Sequence, residues 1–136
     1  MIACDTGFFV EYLKANSQAT ILLGRADVHN KPIVSVISLF ELRKLALKGV
    51  TDSEKTDALL ALIPKICQVV YLDSGSDLLI ERAARLAHGN GLSMADSLIF
   101  ASALECGADT LYTTDSDMLR YQGKEGPKVV NLRQAQ

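Results

Sequence analysis

Five short runs of this chain are nearly wholly apolar, and segments of helical period separate them. The runs are Ile2–Asp5, Ile33–Val36, Ile66–Leu72, Thr110–Thr113 and Lys128–Leu132. A strand apolar on both sides must be covered on both faces, which is the signature of a parallel sheet between helices. Phe8–Ala15 reads as a helix with Phe9, Tyr12 and Leu13 on one face, and Ser17 as the N-cap of a second helix carrying Ile21, Leu22 and Leu23. Ser38–Lys48 follows, with Leu42, Leu45 and Ala46 as its apolar stripe and Gly49 as its stop. Asp52 caps a helix through Leu59–Ile63 that Pro64 ends. Leu78–His88 closes at Gly89-Asn90-Gly91, and Ser93–Cys106 closes at Gly107. Strands alternating with helices imply right-handed crossovers. The expected architecture is a three-layer α/β/α sandwich around a mostly parallel sheet of four to five strands.

Four acids sit where those runs change character: Asp5, Glu41, Asp96 and Asp115. Asp5 and Asp115 close strands, and open parallel sheets form their sites beyond the carboxyl ends of strands. Glu41 and Asp96 lie in first helical turns that face the same edge. Clustered carboxylates repel one another and raise one another's pKa values, and a divalent cation with its preference for hard oxygen ligands compensates them. The pattern therefore points to metal-dependent phosphate chemistry.

Each acid also has an ordinary explanation. Ser38-Leu39-Phe40-Glu41, Ser93-Met94-Ala95-Asp96 and Ser74-Gly75-Ser76-Asp77 all fit a capping box. Asp5-Thr6-Gly7 and Asp115-Ser116-Asp117 fit strand-to-helix turns with an N-cap Asp. Capping alone would be served by Ser or Asn, so four acids at one predicted edge exceed what it requires.

Length and composition narrow the field. At 136 residues, 49% apolar and 22% charged, the chain fits one folded domain, residues 1–136. Cys4, Cys67 and Cys106 are isolated and read as free thiols, which fits a reducing compartment, and no signal segment or membrane span is visible, so the expected location is cytoplasmic. Setting the four acids aside leaves 12 acids against 14 Lys and Arg, so no strongly basic surface is indicated. His29 and His88 lie in polar stretches, and neither a Gly-x-Ser-x-Gly elbow nor a phosphate-binding Gly-rich loop occurs. Lys14, Arg43, Lys44, Arg120 and Lys124 are available to phosphates, with Arg43 and Arg120 the better candidates because each lies within a helical turn or two of a cluster acid. Tyr121 is available to stack on a base.

These residues resemble the PIN-domain family and the VapC-type toxins within it, over essentially the whole chain. Ile2-Ala3-Cys4-Asp5-Thr6 resembles the opening strand and first acid, and Ser38-Leu39-Phe40-Glu41-Leu42 the second acidic motif. Ser93 through Ala103 resembles the third, and Thr113-Thr114-Asp115-Ser116-Asp117-Met118-Leu119 the fourth. The spacings of 36, 55 and 19 residues between successive acids match as well. The family often has Ser or Asn where this chain has Gly7, and Phe where it has Met118. The resemblance implies a Mg²⁺- or Mn²⁺-dependent ribonuclease. Asp5 and Asp96 would hold the ion directly, with Glu41 and Asp115 completing the site directly or through water. Thr6, Thr113 and Asp117 would orient those groups. It also implies RNA as substrate and a small antitoxin that covers the acidic groove and inserts an Arg. Phe8, Phe9 and Tyr12 are candidates for a homodimer surface as well as for core.

Other readings remain beside this one. They are an RNA-processing nuclease without a toxin role, an aspartyl-phosphate enzyme using Asp115 and Asp117 as nucleophile and acid, and a non-catalytic α/β binding domain.

Overall fold

A computed structural model describes residues 1–121 and 126–133; Lys124 lies outside them. Five strands, β1 (Ile2–Cys4), β2 (Ile33–Ser35), β3 (Gln68–Val70), β4 (Thr110–Thr113) and β5 (Lys128–Asn131), form one sheet. Its order is β3-β2-β1-β4-β5, and every pairing is parallel. Among the described residues six α-helices cover it: α1 (Thr6–Leu13), α2 (Ser17–Gly24), α3 (Val36–Leu47), α4 (Ser53–Ile66), α5 (Asp77–Asn90) and α6 (Met94–Glu105). A short 3-10 helix, Ser116–Arg120, follows β4.

The pleat explains why the strands are apolar throughout. Successive side chains leave a strand on opposite faces. Ala3, Ile33 and Leu111 join Leu79, Ala83, Ile99 and Phe100 on one face. Their neighbours Cys4 and Val34 join Phe8, Phe9, Leu42, Leu59 and Ile63 on the other. The sheet thus carries two cores, one under α5 and α6 and one under α1 to α4.

Several local expectations are corrected. The second helix is capped by Asn16, whose Oδ1 accepts from Ala19 N at 3.0 Å, and Ser17 is its first residue. Helix α3 begins at Val36, because Ser35 already caps it by accepting from Ile37 N at 3.1 Å. Ser38 is therefore interior and buried, Glu41 lies in the second turn, and the capping box proposed for that pair does not form. The Ser74 box fails too: Ser76 occupies the N-cap position and its Oγ accepts from Asp73 N. Pro64 does not end α4, which runs on to Ile66. A proline this close to the end costs a single backbone bond there, while Leu59 and Ile63 stay buried. Phe8 and Phe9 are fully buried and stacked edge to face, which removes them from any dimer surface. Cys4 and Cys67 are buried free thiols, and Cys106 is half-buried. No helix among the described residues is long and apolar enough to cross a membrane.

Candidate active site

The sheet order fixes where a site forms. From β1 the chain winds outward to β2 and β3, then returns to place β4 on the other side of β1. That reversal opens a crevice at the carboxyl ends of β1 and β4. Asp5 follows β1 directly, and Asp115 stands two residues past β4. Helix α3 leaves the carboxyl end of β2, and α6 leads into β4, so both begin at this same edge. This resolves the position of Asp96. Its helix follows another helix in sequence, yet it must run back down to the start of a parallel strand. Asp5, Glu41, Asp96 and Asp115 accordingly line one cavity of about 340 Å³.

Asp5 is 4% exposed and N-caps α1, its Oδ1 accepting from Phe8 N at 3.0 Å. Its Oδ2 accepts from the buried Thr113 hydroxyl. Burial pushes the Asp5 carboxyl up to about 6; the Thr113 and Phe8 bonds pull the other way, and the charges of Asp115 and Glu41 add to the rise. The ordinary reading of Asp5 as a cap is thus physically true. It does not account for a buried carboxylate beside other acids.

Glu41 Oε1 accepts from Thr6 Oγ1 at 2.6 Å, and Ser38 Oγ lies 3.1 Å from the same hydroxyl. The register of α3 produces this contact. Starting the helix at Val36 turns both Ser38 and Glu41 toward the first residue of α1.

Asp96 sits in the first turn of α6, its backbone N donating to the N-cap Ser93 Oγ at 3.1 Å. Its carboxyl is pushed up to about 7, first by desolvation, then by a hydrogen bond to the Asp115 carboxyl and by that group's charge. Asp115 caps the 3-10 helix, Oδ1 accepting from Asp117 N at 2.8 Å, and its own N donates to Thr113 Oγ1 at 2.8 Å. Oxygens of Asp96, Asp115 and Asp117 approach within 4.8 Å of one another. Asp5 and Glu41 lie outside this trio, on the wall of the same cavity.

The basic candidates separate. Arg43 pairs with Asp57 on α4 and is not a cavity residue. Arg120 pairs with Asp117 at 2.9 Å, beside the trio. Tyr121 packs its ring on Phe100 at 4.4 Å between centroids, which accounts for it as packing. Lys14 does line the cavity, and so does Arg133, which sequence reasoning passed over. Its signal was its place just past β5, at the same carboxyl edge. Gly7 has a specific reason as well. A Cβ there would stand 2.0 Å from Thr114 Oγ1, so the Thr114 hydroxyl fills the space that a side chain at position 7 would take.

The sequence model of the PIN domain family matches residues 2–124. No curated protein sequence matches the chain. Among solved structures it is similar to VapBC2 of Rickettsia felis bound to a promoter DNA fragment, at 17% identity, covering 96% of this chain and 100% of that one, TM-score 0.69. It is similar to a toxin-antitoxin complex from Klebsiella pneumoniae, at 20% identity over 97% and 98%, TM-score 0.67. It is also similar to VapC20 of Mycobacterium tuberculosis, a toxin that cleaves the sarcin-ricin loop, at 20% identity over 88% and 93%, TM-score 0.64.

Proposed function

Since the chain belongs to the PIN domain family, we propose that residues 1–136 form a single nuclease domain, a divalent-metal-dependent endoribonuclease and the toxin of a toxin-antitoxin pair. The observation that carries this is the lining of one cavity by Asp5, Glu41, Asp96 and Asp115 at the reversal point of a parallel sheet.

The donor set suits a hard cation. It is all carboxylate and hydroxyl, with no thiol or imidazole among the cavity residues. Asp5 and Asp96 both hold protons more tightly than ordinary carboxyls, first because burial strips them of water and then because other acids stand beside them, and a bound cation would relieve both. Mg²⁺ or Mn²⁺ is the ion of choice, held by Asp5 and Asp96, with Glu41 and Asp115 binding directly or through water. When bound, such an ion polarises a phosphodiester and lowers the pKa of water.

The chain's own groups do the positioning. Thr113 fixes the Asp5 carboxylate and the Asp115 backbone with one hydroxyl. Thr6 fixes Glu41. Asp117 stands beside Asp96 and Asp115, held by Arg120. In the reaction, water adds across the phosphodiester: one P–O bond forms, one breaks, and the leaving oxygen takes a proton.

The proteins of like fold lend support to RNA as substrate and to a small antitoxin as partner, since they are described as toxins, toxin-antitoxin complexes and, in one case, a cleaver of the sarcin-ricin loop. The aspartyl-phosphate reading has less support, because Asp115 Oδ1 already accepts from Asp117 N as the cap of the 3-10 helix. A processing nuclease would use the same chemistry, and growth arrest on expression, relieved by a small protein encoded alongside, separates the two.

The test compares wild type with Asp5→Asn and Asp96→Asn on single-stranded RNA, with Mg²⁺ or Mn²⁺ and with EDTA. Cleavage is expected only from the metal-loaded wild type. Cleavage that survives either substitution or chelation overturns the proposal.

A further inference from the structure

Two cations line the acidic cavity, and the ion pairs they make are with an acid outside the cluster. Lys14 caps the C-terminus of α1, and Arg133 stands two residues past β5. Both turn to Glu11. Lys14 Nζ lies 3.9 Å from Glu11 Oε2, and Arg133 Nε lies 3.4 Å from Glu11 Oε1. The Glu11 side chain is only 12% exposed, whereas the two cations are 61% and 60% exposed. One nearly buried carboxylate therefore holds two exposed cations, one on each oxygen, drawn from the two ends of the chain.

We propose that Lys14 and Arg133 form a phosphate-binding rim for the backbone of the nucleic acid that enters the cavity, spaced by Glu11. This rests on the nuclease reading. The physical need is plain: four carboxylates repel a polyanion, and cations at the same cavity draw its backbone in. The three-residue rim carries a net positive charge. Arg133 meets Glu11 through Nε, so the end of its planar fork is the part aimed to take two phosphate oxygens, while Lys14 acts as a point charge. Ion pairs made by exposed cations stabilise little, so holding two of them on one partly buried acid is a poor stability device. It is a good way to fix where two positive charges stand.

The experiment measures binding of a labelled single-stranded RNA across a potassium chloride series, with Mg²⁺ present. The background is Asp96→Asn, which keeps the RNA intact. Lys14→Gln and Arg133→Gln are each expected to weaken binding by about 3- to 10-fold and to flatten the log–log salt slope by about 0.7. Arg133→Lys retains most of both. Arg85→Gln, which breaks an exposed pair with Glu81 on α5, changes neither. In the cleaving protein the two Gln variants raise KM and leave kcat within about twofold. A role confined to pinning the chain end onto α1 would lower the melting temperature and leave the slope alone. An unchanged slope in both variants, or no RNA binding by the parent, overturns the rim. Metal-dependent cleavage with an unchanged slope removes the rim and keeps the nuclease. Slope changes with no metal-dependent cleavage keep the rim and remove the nuclease.

Discussion

The Thr113 hydroxyl donates to Asp5 Oδ2 across the crevice between β1 and β4, and Thr113 Oγ1 itself accepts from Asp115 N. One buried side chain therefore sets two of the four acids against each other. Thr113→Val keeps the shape and removes both bonds. Leaving a buried carboxylate oxygen and a backbone N–H without partners costs about 1–3 kcal/mol each. Mn²⁺ affinity and activity are expected to fall about 10- to 100-fold, the usual effect of losing a group that orients a ligand. Thr113→Ser keeps the hydroxyl and is expected to restore most of both. Calorimetric titration with Mn²⁺ alongside thermal melting checks this, and wild-type metal affinity in the valine variant would refute it.

The raised carboxyls make stability depend on pH in an unusual direction. Asp5 takes a proton near pH 6 in the fold but near the ordinary carboxylate value when unfolded. Between those values the folded chain carries more protons, so its stability falls as pH rises. For Asp5 alone the loss is about 3 kcal/mol, complete once the pH exceeds its folded value. Asp96 extends the window to about 7. Thermal melts in EDTA are expected to show the midpoint dropping from about pH 5 to about pH 7.5, with Asp5→Asn flattening the drop. Mg²⁺ should raise the midpoint more at the higher pH, where both carboxylates are free to bind it. A metal-free midpoint that rises over this range would contradict the assignment.

The sheet and its chemical edge were legible in the sequence because they depend on crude properties. Short apolar runs forced a doubly covered parallel sheet, and strand ends then located Asp5 and Asp115. Finer features depended on competition between near-equal options. Ser35 and Ser38 both suit a helix start, and the earlier one won, which carried Glu41 one turn inward and onto Thr6. Asn16 displaced Ser17 in the same way. The features that no local pattern announces are long-range. The fit of Thr114 against Gly7, and the meeting of Arg133 with Glu11 across 122 residues, exist only once β4 and β5 lie beside β1.

Gly7 offers a steric test of that geometry. A Cβ at position 7 would lie 2.0 Å from Thr114 Oγ1 and 3.0 Å from Thr114 Cβ, and neither atom is the end of a long flexible side chain. Gly7→Ala is expected to cost about 1–3 kcal/mol by overpacking. Thr114→Gly removes both atoms, so the double variant should be more stable than the sum of the single effects predicts. Chemical denaturation of the four proteins measures this coupling, and strict additivity would show that the two positions are not in contact.

Asp117 decides how the trio works. Its carboxylate stands within 4.8 Å of Asp96 and Asp115 and is paired with Arg120 at 2.9 Å. If it orients its neighbours or their waters, Asp117→Asn keeps a hydrogen-bonding group of the same shape. Mn²⁺ affinity should then fall about tenfold, toward the mild end of the range for such orienting groups. If it binds the ion directly, the loss should match that of Asp96→Asn. Arg120→Gln discriminates further. Removing the guanidinium frees the Asp117 carboxylate, which should leave metal affinity unchanged or raise it while weakening RNA binding. Titrations of Asp117→Asn, Asp96→Asn and Arg120→Gln with Mn²⁺, run in parallel, separate the two roles. Equal losses for the first two would move Asp117 from an orienting group to a ligand.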